Sequence, residues 1–345
     1  MSNPILLTGA TGVVGTALRE RLATRSYTAL THRTPLLGVD TVTGDITAPR
    51  FGLDETAYIQ LVEDTRCVLH CAANTSLNAD PAVLADDNAC GTRHAIELAN
   101  DADAPLIHVS TAFVEAIDRA ENRGARLNYA ESKLVGERLV TDRARRWTIV
   151  RPSIVIGDSS DGHIAGYQGL FRLAELVRDG RLPFFPCGPD SRVDIIAQDV
   201  VAATLAHLSR VALERGDTGH DLVWLTSGAT APRVWEVIEA FLDAPRSTGE
   251  PRPHTPRFID RDQYERLIRP AFLSELDPSL ARRIDNLFTH VAPYVSIVDP
   301  FPDATTIGDY QPAVTDPLLQ LNRSLDHWVR VGAAARPREE AIVHA

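Results

Sequence analysis

Short apolar runs alternate with stretches of helical spacing through the first 150 residues of the chain. Each run is four to six residues long, which is too short for a helix and typical of a buried strand. Between the runs, apolar residues recur every three or four positions, as in 16–23 and 86–99, and this predicts helices that pack through one face. The alternation predicts an α/β fold with a doubly wound parallel Rossmann sheet. The six predicted strands are residues 4–8, 27–31, 42–46, 65–70, 105–109 and 147–150.

The second half of the chain alternates less regularly. Residues 222–228 predict one late strand, whereas the proline-rich stretches 182–189 and 245–256 predict loops. Helical spacing dominates elsewhere, so we expect a smaller, mainly helical C-terminal region beside the sheet. The predicted helices of this region are residues 170–178, 235–242, 263–273, 280–290 and 317–331.

The composition narrows the class of protein. The 345 residues are 44% apolar and 23% charged, as is typical of a soluble globular enzyme. The formal net charge of −11 argues against a nucleic-acid partner and against binding to an anionic membrane surface. No apolar run is long enough to span a membrane and the N-terminus lacks a signal-peptide pattern, so we expect a cytoplasmic protein without a membrane span. The four cysteines form no C-x-x-C pair or cluster with histidines, so reduced thiols and no metal site are expected.

Three glycines directly follow the first predicted strand. Gly9 permits a tight turn, Gly12 lets the backbone approach a pyrophosphate, and Gly15 lets the next helix pack against the strand. The start of that helix offers unpaired N–H groups to an anion. Strand, glycine turn and helix therefore predict a dinucleotide site. Its other candidate residues at this turn are Thr11, Val13 and Val14.

The second predicted strand ends at Thr31, followed by His32 and Arg33. An Asp or Glu here would bind the free 2′-hydroxyl of NAD, whereas an arginine suits a 2′-phosphate. We therefore expect NADPH or NADP rather than NAD, although an arginine after a strand can also be a solvated charge. The third strand runs to Asp45 and Ile46, where the carboxylate could accept from the adenine amino group or cap a turn.

Small residues follow two later strands, at the strand ends where open α/β sheets bind ligands. They allow the chain to pass close to a cofactor. We expect these segments to line the dinucleotide site; their residues are Cys71, Ala72 and Ala73 after the fourth strand, and Pro152, Ser153 and Ile154 after the sixth.

The only lysine of the chain, Lys133, lies four residues after Tyr129, although arginine occurs thirty-four times. Residues four apart share one face of a helix, so the phenol and the ammonium should point into one site. Thr111 ends the fifth strand at the same edge of the sheet. Reduction of a carbonyl needs a proton donor and a second hydrogen-bond donor at the developing oxyanion. We assign these roles to Tyr129 and Thr111, while Lys133 lowers the pKa of the phenol and holds the nicotinamide ribose.

The ordered motifs resemble the extended short-chain dehydrogenase/reductase family. They are T-G-A-T-G-V-V-G at 8–15, D-N-A-C-G-T from residue 87, V-S-T-A at 109–112 and Y-A-E-S-K at 129–133. The resemblance implies that Thr111, rather than Ser110, is the catalytic hydroxyl. It also implies that Asn88 is a structural asparagine or part of a proton relay.

A narrower resemblance is to the thioester reductase and fatty acyl-CoA reductase group. It rests on residues 51–63, on V-L-H-C-A-A at 68–73 and on I-V-R-P-S-I-V-I-G at 149–157. It implies NADPH-dependent reduction of an acyl thioester, on CoA or a carrier protein, to an aldehyde and in some members to an alcohol.

This resemblance also implies a division of the chain. We expect an NADP-binding domain at 1–160 with return segments near 193–230, and a substrate-binding region and cap at 161–192 and 231–345. Acyl chain, carrier and oligomeric state are not determined by the sequence, and a homodimer is left open.

Two other functions are compatible with the same residues. A sugar-nucleotide epimerase or dehydratase, or another carbonyl or alcohol oxidoreductase of the extended family, shares the fold and the Thr/Tyr/Lys set. A non-catalytic regulator that senses a dinucleotide is the third alternative, but it would not need the proton donor Tyr129.

Overall fold

Seven parallel strands form the central sheet of the computed structural model, which describes residues 4–22, 27–76, 79–119, 127–167, 169–185, 187–246, 251–259 and 263–335. The strands, in chain order, are β1 Ile5–Thr8, β2 Tyr27–Thr31, β3 Asp40–Thr43, β4 Cys67–His70, β5 Leu106–Val109, β6 Trp147–Pro152 and, late in the chain, β10 Leu222–Leu225. Their order across the sheet is β10-β6-β5-β4-β1-β2-β3. The chain winds outward from β1 in one direction and from β4 in the other, so the topology switches between these two strands. The predicted doubly wound fold is confirmed.

Helices cover both faces of this sheet. On one face α1 Val13–Arg21 packs beside α6 Gln198–Arg215; the other face carries α2 Glu55–Asp64, α3 Pro81–Asp101 and α4 Asn128–Arg143. Both faces of the central strands β1, β4 and β5 are therefore buried, which explains why these strands read as apolar runs, whereas the edge strand β3 is mostly exposed. Two helices, α2 and α6, lie outside the predicted elements. The start of α2 is fixed by Asp54, whose carboxylate accepts from Ala57 N at 2.8 Å.

The remaining elements form a second layer of mainly helical structure. Two short parallel pairs lie within it, β7 Ile154–Ile156 with β9 Ile195–Ala197, and β8 Phe184–Phe185 with β11 Arg257–Phe258. The helices and strands of this region share one apolar core, so packing holds the region together. Its helices are α5 Gly169–Arg178, α7 Val234–Asp243, α8 Arg269–Ser274 after a π-helical turn at Tyr264–Ile268, α9 Pro278–His290 and α10 Pro317–Ala335. Among the described residues, no helix is both long and apolar enough to cross a membrane.

Candidate active site

The glycine turn after β1 is packed against the segment that follows β4. Gly9 has a φ of +73°, and a Cβ on it would stand 2.6 Å from Ala72 N. A Cβ on Gly15 would stand 2.1 Å from the carbonyl oxygen of Gly9. Both positions therefore exclude any side chain, as the motif predicts. The turn is closed by a bond from Gly12 N to Gly9 O at 3.0 Å.

Helix α1 begins at this turn without a side-chain cap. Gly12 occupies the N-cap position and the first turn carries no acidic residue. The N–H groups at the start of the helix therefore face the edge of the sheet, where an anion would complete them. Thr11 is exposed there, while Val13 and Val14 are half-buried. This arrangement fits a bound pyrophosphate.

The Cys71–Asn74 segment is held from two sides. Ala72 N donates to Thr8 Oγ1 at 3.2 Å, and Thr8 Oγ1 is hydrogen-bonded to His70 Nδ1 at 2.8 Å. Asn88 of α3, 4% exposed, accepts from Asn74 N at 2.7 Å and donates to Asn74 O at 3.1 Å. These bonds fix the segment that borders the dinucleotide turn.

Asn88 also ties α3 to α4. Its Nδ2 donates to Ser132 Oγ at 2.8 Å, and Ser132 Oγ in turn donates to Tyr129 O at 2.7 Å. The amide is therefore fully engaged with protein groups, and its contacts are those of a residue that positions α4.

Thr111 and Tyr129 lie at the carboxyl edge of the sheet. Thr111 is 4% exposed and caps a 3₁₀ helix at Ala112–Ala116, accepting from Phe113 N at 3.4 Å. Its hydroxyl donates to Pro152 O, also at 3.4 Å. Both bonds are long, so a better acceptor at the edge could recruit this hydroxyl. Tyr129 is half-buried in the first turn of α4. Burial raises its pKa to about 12, so the expected lowering of this pKa by Lys133 is not observed in the structure.

Lys133 lies one turn further along α4 and is 2% exposed. Burial lowers the pKa of its ammonium to about 8, while the charge of Glu137 opposes the shift. Among the described residues none forms a hydrogen bond or ion pair with the ammonium. A buried cation without a partner is costly, and hydroxyl groups of a bound ribose would remove that cost. The site therefore fits the predicted dinucleotide at a second point.

Two groups near Lys133 were not predicted. The imidazoles of His70 and His108 stack at a centroid distance of 5.4 Å, and burial keeps the pKa of each well below its usual range. Glu137, four residues after Lys133, forms a bidentate pair with Arg151 at 2.8 and 2.5 Å. The i, i+4 spacing from Lys133 to Glu137 is the sequence signal that could have placed Glu137 near the site.

The predicted adenine end is formed by the loops after β2 and β3. His32 and Arg33 are exposed, and His32 Nε2 lies 3.9 Å from Asp45 Oδ2. Asp45 follows β3 instead of ending it, because the strand stops at Thr43. Its Oδ1 accepts from the backbone N–H of Thr47 at 2.9 Å, so of the two alternatives the structure shows the turn cap. Hydrogen bonds from Thr47 hold the pKa of Asp45 below its usual range.

Ile46 and the segment after β6 contribute mainly through packing and backbone. A Cβ on Gly91 of α3 would meet Ile46 Cδ1 at 2.9 Å, so this glycine allows α3 to approach the loop. Pro152 and Ser153 are buried, and Ser153 N donates to Leu225 O at 3.0 Å. Ile154 N donates to Asp194 O, just before β9, at 3.2 Å. In the described part of the chain, no cluster of three or more His, Cys, Asp or Glu side chains could hold a metal ion.

The chain is similar to known proteins in sequence and in fold. Residues 33–205, half of the chain, match the family model for the male sterility protein. The hybrid PKS-NRPS synthetase pvhA of Talaromyces variabilis is 29% identical over 221 residues, which are 59% of this chain and only 6% of that synthetase. The dTDP-4-dehydrorhamnose reductase of Mycolicibacterium smegmatis is 27% identical over 287 residues, which are 79% of this chain and 76% of that enzyme.

One solved structure covers nearly the whole fold. The terminal R domain from the myxalamid PKS-NRPS biosynthetic pathway superposes with a TM-score of 0.72 and 22% identity, covering 98% of this chain and 93% of that domain. At this identity the likeness concerns the fold, including the helical region beyond the sheet.

Proposed function

Because the chain belongs to the male sterility protein family and is a thioester reductase-like, NAD(P)-dependent oxidoreductase of the extended short-chain dehydrogenase/reductase type, we propose that it reduces the carbonyl of an acyl thioester, or of the derived aldehyde, with NADPH. The observation that carries the proposal is the Lys133 side chain, which is 2% exposed and lies one helical turn from Tyr129, and whose ammonium pairs with no group in the part of the chain that the structure describes. A sheet edge with these two groups and an uncapped helix start suits a dinucleotide and a carbonyl together.

The cofactor would be held by the glycine turn and by α4. The N–H groups at the start of α1 bind the pyrophosphate, and Lys133 donates to the nicotinamide ribose. When bound, NADPH supplies the reducing equivalent for the carbonyl carbon. The exposed Arg33 is available to pair with the 2′-phosphate, and this is the basis for preferring NADPH over NADH.

The protein's own residues supply the proton and the oxyanion contacts. Tyr129 donates its proton to the carbonyl oxygen, and Thr111 donates a hydrogen bond to the same oxygen. With a pKa raised to about 12, the phenol is protonated at neutral pH, as an acid must be. The ammonium of Lys133 then stabilises the phenolate that remains. Asn88 acts as a positioning residue, because its amide is occupied by Asn74 and Ser132.

The substrate assignment rests on the similarity to PKS-NRPS synthetases and to the terminal R domain of one such pathway. The chain covers only a small fraction of such a synthetase, so the activity and partners of the whole assembly do not follow from the match. We infer an acyl group on a carrier protein or on CoA as the substrate, without a choice of chain length.

The experiment is NADPH oxidation against a panel of acyl-CoA thioesters, acyl carrier thioesters, aldehydes and nucleotide sugars. We expect turnover of thioesters or aldehydes, and a loss of about 10²- to 10⁴-fold in kcat for Tyr129→Phe with NADPH binding retained. Tyr58→Phe is the matched control, because its hydroxyl bonds Asp101 away from the site at 2.9 Å and its loss should leave kcat within about twofold. Near-native turnover by Tyr129→Phe would remove it from the acid role.

A second candidate is reduction of a nucleotide-linked sugar. The observation that favours it is the dTDP-4-dehydrorhamnose reductase, which matches most of this chain over most of its own length. Turnover of nucleotide sugars alone in the same panel would replace the first candidate by this one.

A further inference from the structure

Tyr294 reaches the catalytic helix from a distant part of the chain. It lies in a 3₁₀ helix at Ala292–Val295, between α9 and α10. Its hydroxyl accepts from Ala130 N at 3.3 Å, across 164 residues of sequence. The side chain is 6% exposed, so the contact is made in the interior.

Among the residues that the structure describes, no N-cap side chain closes the start of α4. Leu127 occupies the N-cap position, where its apolar side chain cannot accept a hydrogen bond. Ala130 is the third residue of the helix and Tyr129 the second. The Tyr294 hydroxyl therefore accepts from a first-turn N–H group next to Tyr129. Without a partner, first-turn N–H groups are unpaired and the turn frays.

The same ring also packs against the Thr111 side of the site. Tyr294 and Phe113 form an edge-to-face pair with centroids 4.9 Å apart. Phe113 N donates to Thr111 Oγ1. The Tyr294 ring therefore packs against the residue that is hydrogen-bonded to the Thr111 hydroxyl. One side chain therefore touches both the β5 loop and the start of α4.

The Tyr294 hydroxyl is a neutral hydrogen-bond acceptor. Burial raises the pKa of Tyr294 above its usual range, and the N–H group of Ala130 opposes the shift. The phenol stays protonated at neutral pH. It can cap the helix without introducing a buried anion beside Tyr129.

We propose that Tyr294 is a positioning residue for the reduction, which caps α4 and holds the Tyr129 phenol in register with Thr111. The proposal rests on the proposed role of Tyr129 as the acid. The bond with Tyr294 lies in the first turn of α4, one turn before Lys133, so we expect its loss to affect proton donation and to leave the proposed contact of Lys133 with the cofactor intact.

The test compares Tyr294→Phe with Tyr310→Phe. Both remove one tyrosine hydroxyl at the end of a 3.3 Å hydrogen bond; that of Tyr310 goes to Thr204 of α6, on the other face of the sheet. For Tyr294→Phe we expect kcat to fall about tenfold, since a small misplacement of a catalytic group has effects of this size, with KM for NADPH changed less than about twofold. Tyr310→Phe should retain native kcat.

Hydrogen exchange measures the cap itself. In Tyr294→Phe, the peptide covering residues 127–133 should exchange about tenfold faster, while the second half of α4 is unchanged. A kcat within about twofold of the native value would overturn the proposal, as would a lower kcat with unchanged exchange at the start of α4. A rise in KM for NADPH that parallels the fall in kcat would do the same.

Failure of the proposed function would look different. The native protein would then oxidise no NADPH with any thioester or aldehyde, whereas the exchange experiment would still show whether Tyr294 caps α4.

Discussion

Lys133 should destabilise the folded protein in the absence of cofactor. The Lys133 side chain is 2% exposed and no group of the described segments pairs with its ammonium, so the folded state disfavours the charged form. Replacement by methionine keeps an unbranched chain of similar length and removes the charge. We therefore predict that Lys133→Met is more stable than the native protein at neutral pH, although it should be inactive.

The size of the effect follows from the pKa. A fall from 10.5 to about 8 corresponds to about 3 kcal/mol, at 1.36 kcal/mol for each pH unit. Between pH 8 and 10.5 the unfolded chain binds more protons than the folded one at this group, so native stability rises with pH there. The advantage of Lys133→Met should therefore be about 3 kcal/mol at pH 7 and less than about 1 kcal/mol at pH 10.

Urea unfolding at both pH values measures this difference. Other groups that titrate at alkaline pH are present in both proteins, so the comparison isolates Lys133. Val135→Met, at an exposed position of the same helix, is the control and should differ from the native protein by the same amount at each pH. A stability difference between Lys133→Met and the native protein that does not change with pH would refute the reasoning.

Three further substitutions test separate parts of the site. Gly15→Ala places a Cβ 2.1 Å from Gly9 O, so it should cost about 1–3 kcal/mol in urea unfolding and weaken NADPH binding in a fluorescence titration; Gly188→Ala, with nothing closer than 3.8 Å, should do neither. Asn88→Ala removes the tie between α3 and α4 and should cost about 2 kcal/mol, and unchanged stability would contradict the bonds described. Arg33→Ala should raise KM for NADPH about tenfold and leave KM for NADH unchanged, whereas an equal rise for both cofactors would exclude a contact with the 2′-phosphate.

The centre of the sheet could be predicted because its strands are buried on both faces. A strand such as Ile5–Thr8 is then apolar up to its last residue and is followed by a glycine, which marks its limit. Helix α6 gives no such signal: most of its side chains are buried, between α1 and the sheet, so its apolar residues do not follow one stripe. Helix α2 was missed although the sequence carries a signal for its start, because an aspartate such as Asp54 before a helical stretch commonly caps a helix.

Local sequence motifs predicted those parts of the site whose residues lie close together in the sequence or at the ends of strands. Tyr129 and Lys133 share a helix, and the strand ends bring Thr111 and the glycine turn to the same edge. Contacts between distant segments carry no such pattern. The bond from Ala130 to Tyr294 depends on how the C-terminal region folds back onto α4, which no spacing rule describes.

This edge carries two cations in different surroundings, the half-buried Arg151 and the buried Lys133. Arg151 meets Glu137 through two parallel hydrogen bonds, and its guanidinium lies 4.9 Å from the centre of the Trp224 ring. A planar group with several donors suits both contacts. Within the described ranges, Lys133 meets neither a carboxylate fork nor an aromatic face, and its proposed partners are hydroxyl groups of a bound ribose. A guanidinium there would be planar and bulkier, and it would neither fit nor donate as the compact ammonium does. The use of lysine at this one position therefore follows from the absence of a protein partner, and Lys133→Arg should fail even though it preserves the charge.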